Sequence, residues 1–311
     1  MRTRRTSRWL AIPTIGVLTL ALAGCTQEQM QGWLPSTPGV TNHVDRIVGL
    51  WVTSWIVLLA VGVVTWGLML WAGIVYRRRK GQTGFPVQLR YNMPIEVFFT
   101  VVPVILVVGL FAFTARDQAA IEQPIDDPDV SITVYGKRWA WDFVYEQSDQ
   151  QAVYFQGIQA QVLSGEGEAG AIDTEQLPTL YLPVNSSIEI QLESRDVAHS
   201  FWIVDFLYKK DTLPGVTNRF YFETGDVEGV FAGKCAELCG EYHSLMLFQV
   251  EVVSQAEYDA YLESLETEGN VLNDEEIAEF GEGLNPVTNP ANQGRDESDT
   301  TPEAPGEQEG E

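Results

Sequence analysis

The sequence predicts three successive parts: a two-helix transmembrane hairpin, an all-β sandwich and a disordered acidic C-terminal tail. Two long apolar runs within the first 115 residues predict the helices. Short segments of alternating apolar and polar residues, separated by turn-forming residues, predict the sandwich. The last part has many acidic residues with scattered proline and glycine, and such a composition buries too little apolar surface to offset its ordering entropy.

The charge of the chain narrows the classes of partner. The formal net charge is −24 at pH 7, and the isoelectric point is near 4.4. Nucleic-acid-binding proteins present basic surfaces, so this charge argues against a nucleic-acid partner. An acidic chain instead favours a cationic protein partner.

Residues 1–24 have the pattern of a secretory signal peptide. Four arginines among the first eight residues precede an apolar run from Trp9 to Ala23. The run ends in Leu22-Ala23-Gly24-Cys25, which resembles the bacterial lipobox. The resemblance implies that Cys25 is lipidated and forms the mature N-terminus, and it accounts for the odd number of cysteines. Ordinary cleavage that leaves a free thiol is the alternative.

Residues 45–117 are predicted to form the hairpin, preceded by a polar extracytoplasmic arm at residues 25–44. The first apolar run, Ile47 to Tyr76, is followed by Arg77-Arg78-Arg79-Lys80, and the positive-inside rule places this end in the cytoplasm. The second run, Ile95 to Ala115, returns the chain to the outside. We therefore expect a protein of the bacterial cell membrane whose N-terminus and β-domain lie on the outer face.

Residues 118–265 are predicted to form the sandwich. Alternation begins at Val130–Tyr135 and continues in an aromatic segment whose larger side chains would share one strand face, namely Trp139, Trp141, Phe143 and Tyr145. Further strands are predicted at residues 180–184, 187–192, 199–202, 219–222, 229–231 and 247–252, with a closing helix at residues 254–265. The polar stretch 151–176 is predicted to be a loop, and residues 266–311 to be the disordered tail.

Four side chains with metal-binding atoms lie within twelve residues, at Cys235, Cys239, His243 and Met246. Two thiols, an imidazole and a thioether favour copper, because a structural zinc site closes with four Cys or His ligands and makes no use of methionine. Two other histidines are present in the chain. His43 lies in the arm and is expected to be solvated, whereas His199 follows a predicted strand of the sandwich.

Other interpretations of the two neighbouring cysteines remain open at this point. They could form a disulfide in an oxidising compartment, or they could belong to a zinc site. A c-type haem is excluded, because its attachment needs Cys-x-x-Cys-His and the spacing here is Cys-x3-Cys.

One distant histidine and a ligand-rich loop between two strands are similar to the ligand layout of the cupredoxins, β-sandwiches that bind copper at one end. The full pattern is Cys-x-Glu-x-Cys-x3-His-x2-Met with an upstream Asp-Val-x-His-Ser. It resembles the binuclear copper A centre of cytochrome c oxidase subunit II. The resemblance covers roughly residues 45–255 and implies a cupredoxin-like copper A domain within residues 118–265.

The resemblance implies that two copper ions are bound by His199, Cys235, Glu237, Cys239, His243 and Met246. The two cysteines would bridge both ions, and each histidine would bind one of them. The methionine would be a weak axial ligand, and the glutamate would contribute its backbone carbonyl. The glutamate side chain would also reach a magnesium ion at the boundary with the catalytic subunit.

Other residues receive roles through the same resemblance. Trp139 corresponds to the tryptophan near the copper that accepts electrons from cytochrome c. Glu96, in a Glu-x3-Thr-x2-Pro spacing, stands where subunit II has the cytoplasmic mouth of a proton-uptake channel. A favourable charge at the positive end of a helix dipole is the alternative for Glu96. Asp211 would lie near the catalytic subunit, whereas Val216 and Asp205 depart from the family pattern, which has arginine and proline there.

The resemblance therefore implies the electron-accepting subunit of an oxygen-reducing, proton-translocating haem-copper oxidase. Cytochrome c, soluble or tethered, would deliver electrons to the outer domain, and subunit I would receive them. Subunit III and membrane lipid are the other expected partners. A membrane-anchored copper-binding or copper-delivery protein outside an oxidase is the alternative, and the helical hairpin and Glu96 argue against it. A purely structural quinol-oxidase-type subunit would lack the Cys and His ligands, which are present here.

Overall fold

The computed structural model describes residues 26–85, 88, 90–147, 151–163 and 170–282. The predicted signal peptide, the predicted lipidation site Cys25 and residues 283–311 of the predicted tail lie outside the described residues. The chain divides into two compact units. The first comprises the residues up to Pro124 with Asp205–Leu207 and Tyr221–Gly225, and the second comprises Ile125–Val204, Tyr208–Phe220 and the residues from Asp226 onward.

The first unit contains both predicted long helices. A short helix, α1 (Gln27–Met30), precedes α2 (Val44–Val75) and α3 (Met93–Ile121). The last two are apolar and exceed the roughly 20 residues that cross a bilayer, so both are long and apolar enough to span a membrane. The Arg46 guanidinium lies 3.1 Å from the Asp117 carboxylate and joins the start of α2 to the end of α3. The predicted helical hairpin is therefore confirmed.

The expectation of a solvated His43 is wrong. This residue lies immediately before α2 and is buried, with its Nε2 2.8 Å from the backbone carbonyl of Tyr221 in the same unit. Burial lowers the pKa of the His43 imidazole. A carbonyl only accepts hydrogen bonds, so the imidazole donates this one. The partner lies 178 positions away, which is why the polar composition of the arm did not indicate burial.

The second unit is an all-β sandwich with two helices near its end. Its strands are β1 (Val130–Lys137), β2 (Ala140–Glu146), β3 (Gln151–Gln156), β4 (Thr179–Pro183), β5 (Ser187–Ser194), β6 (His199–Ile203), β7 (Tyr208–Thr212), β8 (Asn218–Glu223, which continues into the first unit), β9 (Gly229–Cys235), β10 (Leu247–Val253) and β11 (Val271–Asn273). Its helices are α4 (Gln255–Thr267) and α5 (Asp274–Glu282). Within the described residues the two sheets have the strand orders β11-β3-β2-β1-β5-β8 and β4-β10-β9-β6-β7. This is the predicted cupredoxin-like architecture.

The core between the two sheets contains most of the predicted aromatic stripe. Trp141, Phe143 and Tyr145 alternate along β2 and are fully buried. Phe248 of β10 packs against the first two, with ring centroids 5.6 and 6.2 Å apart. Trp139 does not share this face, because it precedes β2 and is half-buried. Trp141, Phe143 and Tyr145 thus pack between the two sheets and hold them together. Trp139 lies outside this core.

The boundary of the disordered tail at residue 266 is also wrong. α4 continues past it, and residues 271–282 form β11 and α5. β11 adds to the edge strand β3, which itself lies within the stretch predicted to be a loop. Leu272, Ile277 and Phe280 pack on an apolar patch of the sheet. Strand pairing with β3 and the packing of three apolar side chains therefore accompany the ordering of this acidic segment.

Candidate metal centre

The predicted ligands lie on two paired strands and the loop that follows one of them. His199 is the first residue of β6, and Cys235 is the last residue of β9, which pairs antiparallel with β6. Cys239 lies in the loop between β9 and β10, and His243 begins a 3₁₀ turn in the same loop. Met246 directly precedes β10. Because β9 and β10 pair, the loop closes, and the Cys235 N–H donates to the Met246 carbonyl at 3.0 Å.

The five side chains converge. The Cys235 Sγ lies 3.9 Å from the Cys239 Sγ and 3.9 Å from the His199 Nδ1. The Cys239 Sγ lies 3.4 Å from the His243 Nδ1 and 3.7 Å from the Met246 Sδ. Each thiol therefore contacts a different histidine, and the two thiols contact each other. The ligand atoms of His199 and the two cysteines lie within 4.8 Å of one another, and these three residues are buried.

The two cysteines are free thiols in the structure, with no bond between their sulfur atoms. The Cys235 thiol donates to the backbone carbonyl of Glu237 at 3.2 Å. The predicted carbonyl ligand therefore lies beside the thiols. The side chain of Glu237 is exposed.

The imidazole of His199 is held on the side away from the thiols. Its Nε2 lies 2.8 Å from an Asp196 carboxylate oxygen, which leaves Nδ1 facing Cys235. The other Asp196 oxygen accepts a hydrogen bond from the Arg138 backbone N–H at 2.7 Å. Burial lowers the pKa of His199, but the hydrogen bonds with Asp196 and Cys235 outweigh burial and raise it overall. A carboxylate in this place fixes the tautomer and ring orientation of a metal-binding histidine.

The two thiols differ in acidity because they lie so close together. The contact with Cys239 lowers the pKa of Cys235 against the opposing effect of burial, and His199 lowers it further. The same contact and burial raise the pKa of Cys239. A metal ion held by the two thiols would favour the loss of both protons.

Trp139 lies directly against the ligand loop. Its indole N–H donates to the Cys239 carbonyl at 3.3 Å, and its ring centroid lies 4.8 Å from that of Tyr242. Gly240 has a φ of +126°, and a Cβ at this position would lie 3.1 Å from the indole. The backbone conformation and the close approach both require glycine there. Trp139 thus touches the ligand loop while part of its surface is open to solvent.

The remaining predicted residues are not part of this cluster. Glu96 is in the first turn of α3, in the first unit. Its carboxylate accepts a hydrogen bond from the Asn92 N–H at 3.1 Å, and the Asn92 side chain caps the helix. These contacts stabilise the start of a helix. The role in proton uptake stays a prediction.

The donor set fits copper. Thiolate, imidazole and thioether are the ligands that select copper among the biological metals, and the fully buried Met246 has no use in a zinc site. The two adjacent thiols each contact a different histidine, so all the predicted side-chain ligands except Met246 are arranged as two Cys–His pairs.

The sequence analysis included Asp196 in the Asp-Val-x-His-Ser motif without giving it a role, and it did not identify Arg138 as part of the site. The available signal for the role of Asp196 was its position, three residues before His199 and between two predicted strands. A carboxylate so close to a candidate ligand is a plausible partner for its second ring nitrogen. The contribution of Arg138 is made by its backbone N–H, which no side-chain pattern reveals.

Comparison with known proteins finds relatives along most of the chain. A family described as "Cytochrome C oxidase subunit II, periplasmic domain" matches residues 130–253. The probable cytochrome c oxidase subunit 2 of Streptomyces avermitilis is 41% identical, over 82% of this chain and 86% of the relative. The cytochrome c oxidase subunit 2 of Mycobacterium tuberculosis is 32% identical, over 80% of this chain and 79% of the relative.

A solved structure is similar to part of this chain. It is the periplasmic domain of subunit II of cytochrome oxidase (CoxB) of Bradyrhizobium japonicum, with 29% sequence identity and a TM-score of 0.39. The similarity covers 47% of this chain and 99% of that domain.

Proposed function

The chain belongs to the cytochrome c oxidase subunit II family, and we propose that it holds a binuclear copper A centre through which a haem-copper oxidase receives electrons. The observation that carries the proposal is the pair of buried thiols 3.9 Å apart, each in contact with a different histidine. The buried Met246 thioether beside Cys239 favours copper over a structural zinc ion, which makes no use of methionine. The relatives are named as subunits of cytochrome c oxidase, which places the chain in an enzyme complex.

The residues that would hold the two ions are His199, Cys235, Glu237, Cys239, His243 and Met246. The bound copper would supply one-electron redox chemistry. The protein's part is to keep the ligands still, and the sandwich does so through the paired strands β6, β9 and β10. A site that hardly moves when its charge changes transfers electrons with little reorganisation. The exposed Glu237 carboxylate is our proposed contact for a magnesium ion shared with the catalytic subunit.

Trp139 is the residue that we propose to receive electrons from cytochrome c. It contacts the Cys239 carbonyl, and its ring is only partly covered. An electron that reaches the indole is therefore one hydrogen bond away from a copper ligand. The net charge of −24 supports a basic donor such as cytochrome c. Subunit I would receive the electron, and subunit III and membrane lipid would complete the surroundings.

The position in the membrane follows from the two helices and the charges between them. The cluster Arg77 to Lys80 marks the cytoplasmic end of α2, so the β-domain would lie on the outer face of a bacterial cell membrane.

We retain the proposal that the chain is cleaved before Cys25 and that Cys25 is lipidated, and mass spectrometry of the mature N-terminus tests it. An unmodified terminus at another residue would refute it.

Metal analysis of the full-length chain purified in detergent tests the copper proposal. We expect close to two coppers per chain and a mixed-valence copper signal in electron paramagnetic resonance, because Cys235 and Cys239 would hold both ions. One copper with a blue-copper spectrum, or zinc alone, would refute the binuclear centre. Two coppers without co-purification of a haem subunit would favour the copper-delivery alternative.

Glu96 is proposed to take up protons, and the assembled oxidase provides the test. We expect Glu96→Ala to slow steady-state oxygen reduction while copper reduction by cytochrome c stays normal. A carboxyl group at membrane depth can take up and release protons, but it does not carry electrons. Asn92→Ala is the matched control, since it removes the cap of α3 and keeps the carboxylate. Wild-type turnover in Glu96→Ala would leave Glu96 as a helix-start residue, whose loss costs at most about 1 kcal/mol of stability.

A further inference from the structure

A buried ion cluster lies on the outer face of the first sheet, where β5 ends. The Arg195 side chain is completely buried, and its Nη1 lies 2.9 Å from one oxygen of Asp142 on β2. The other oxygen of Asp142 lies 2.9 Å from Lys137 Nζ and accepts from the Gly157 N–H at 2.8 Å. Asp142 therefore serves two cations at once. Asp142 contacts the Arg195 guanidinium at Nη1 only.

The other contacts of Arg195 are aromatic. Its guanidinium carbon lies 4.2 Å from the ring centroid of Phe280 on α5 and 4.8 Å from that of Tyr135 on β1. Among the described residues none of its three nitrogens makes a hydrogen bond of good geometry: Nη1 has only its ion pair with Asp142, and Nε and Nη2 have no acceptor. Cation–π contacts with the two rings are thus what offsets the desolvation of this part of the guanidinium. Of the two rings, Phe280 lies on α5 and Tyr135 lies on β1 of the sheet itself.

α5 fits closely over this place. A Cβ on Gly281 would lie 3.1 Å from the Tyr135 ring, so the helix approaches the sheet as nearly as a glycine allows. Ile277 packs on the same apolar patch as Phe280, together with Leu272. Helix α5 therefore makes two kinds of contact. Ile277 packs on the apolar patch, and the Phe280 ring shields the Arg195 guanidinium from solvent.

The segment that carries Arg195 also carries the support of a copper ligand. The Arg195 backbone N–H donates to the Gly136 carbonyl at 3.0 Å, and a Cβ on Gly136 would lie 3.0 Å from the His199 ring. The next residue, Asp196, holds His199 through its Nε2. Arg195 is therefore one peptide bond away from the carboxylate that orients His199.

We propose that α5 is a positioning element of the metal centre. The Phe280 ring keeps Arg195 in its buried position, and Arg195 in turn fixes the turn at residues 194–198, which places Asp196 behind His199. Without the Phe280 ring, water reaches the guanidinium, and Arg195 gains a solvated alternative to its contact with Asp142. The turn at residues 194–198 then has more than one arrangement. This inference rests on the proposed function, since it concerns the same histidine.

The test compares Phe280→Leu with Ile277→Ala in the full-length chain. The first variant keeps an apolar side chain of similar volume and loses the aromatic face, whereas the second loses packing of the same helix and keeps the cover. On the metal-free protein, we expect faster hydrogen exchange of the Arg195 and Val197 amides in Phe280→Leu, beyond any change in Ile277→Ala. Both amides donate hydrogen bonds within this region, so they report its opening.

On the copper-loaded protein, we expect copper affinity to fall by about tenfold in Phe280→Leu, the lower end of the range for residues that orient a metal ligand from behind. The copper hyperfine pattern in electron paramagnetic resonance should change with it. Phe280→Tyr keeps a ring face and should restore the exchange rates, the affinity and the pattern. A purely structural role for α5 predicts none of these site-specific changes.

Several outcomes would overturn the inference. Equal exchange at Arg195 and Val197 in Phe280→Leu and Ile277→Ala would do so, as would wild-type copper affinity in Phe280→Leu. A lower melting temperature without these local changes would show that α5 only stabilises the fold. Failure of the wild-type chain to bind two coppers is a different result: it refutes the proposed function, and the exchange experiment on the metal-free protein still decides whether Phe280 and Arg195 hold the turn.

Discussion

The candidate metal centre has two sides of different construction. We call the residues His199, Cys235, Asp196 and Trp141 the strand side, and the residues His243, Cys239, Tyr242 and Trp139 the loop side. On the strand side the imidazole is fully buried, oriented by a carboxylate, and 6.0 Å from the Trp141 ring. On the loop side the imidazole and the indole are only half-buried, and the histidine begins a single 3₁₀ turn.

The difference indicates how one site combines stability with access. Buried ligands on paired strands keep their positions through packing and through hydrogen bonds that water cannot replace. Partly exposed ligands on a loop can meet a partner protein. We therefore expect the strand side to determine metal retention and folding, and the loop side to determine exchange of electrons with the donor.

Removing one histidine from each side should have the largest effect and should separate the sides. In His199→Ala we expect loss of copper binding together with about 1–3 kcal/mol of lost stability, because a fully buried imidazole is removed and its hydrogen bond with Asp196 is lost, which leaves that oxygen only the Val197 N–H. In His243→Ala we expect copper to be retained with altered spectra, because water can reach a half-buried position and replace the imidazole. Metal analysis and thermal unfolding of both variants check this. Equal copper loss in both variants would contradict the comparison.

The two tryptophans provide a second matched pair. Trp139→Phe should slow electron transfer from cytochrome c severely while leaving copper content and donor affinity nearly unchanged, because the indole contacts the Cys239 carbonyl and little of the core. Trp141→Phe should cost roughly 1–3 kcal/mol of stability, because Trp141 is fully buried between the sheets. Rapid-mixing kinetics and thermal unfolding measure the two effects. Normal transfer rates in Trp139→Phe would make it a packing residue only.

The two sides were not equally predictable from the sequence. The ligands themselves could be found, because cysteine, histidine and methionine at these spacings have few other uses in one short loop. The support of the strand side was not predicted, because it depends on a backbone N–H of Arg138 and on Asp196, which the motif contained but whose contact with His199 only the fold shows. Chemistry carried by a residue type is visible in a sequence, whereas support by the backbone is not.

The fold shows the same division between what could be predicted and what could not. Strands with clear alternation, such as β5 and β10, were predicted within one or two residues of their observed ends. β7 was missed because its sequence, Tyr-Lys-Lys-Asp-Thr, has no apolar alternation and owes its strand conformation to pairing with β6. α5 was missed because its acidic composition favours disorder and only packing on the sheet orders it.

The smallest effects are expected from two glycines, one on each side. A methyl group at Gly136 would lie 3.0 Å from His199 Cδ2 and 3.2 Å from Thr212 Oγ1, so Gly136→Ala pushes on the strand-side imidazole. A methyl group at Gly240 would lie 3.1 Å from the Trp139 indole, so Gly240→Ala pushes on the loop-side ring. Gly240 also has a φ of +126°, which costs an alanine roughly 1–3 kcal/mol.

We expect these substitutions to differ in kind. Gly136→Ala should change the copper spectrum and weaken copper binding, because its neighbour is a ligand that has no free space to move into. Gly240→Ala should keep both coppers and slow electron transfer from cytochrome c, because the displaced indole loses its contact with the Cys239 carbonyl while the half-exposed loop relaxes. Copper affinity and rapid-mixing kinetics, measured for both glycine variants, show which side determines copper retention and which determines electron transfer. Copper loss in Gly240→Ala with a normal spectrum in Gly136→Ala would reverse the assignment, because retention would then depend on the loop side.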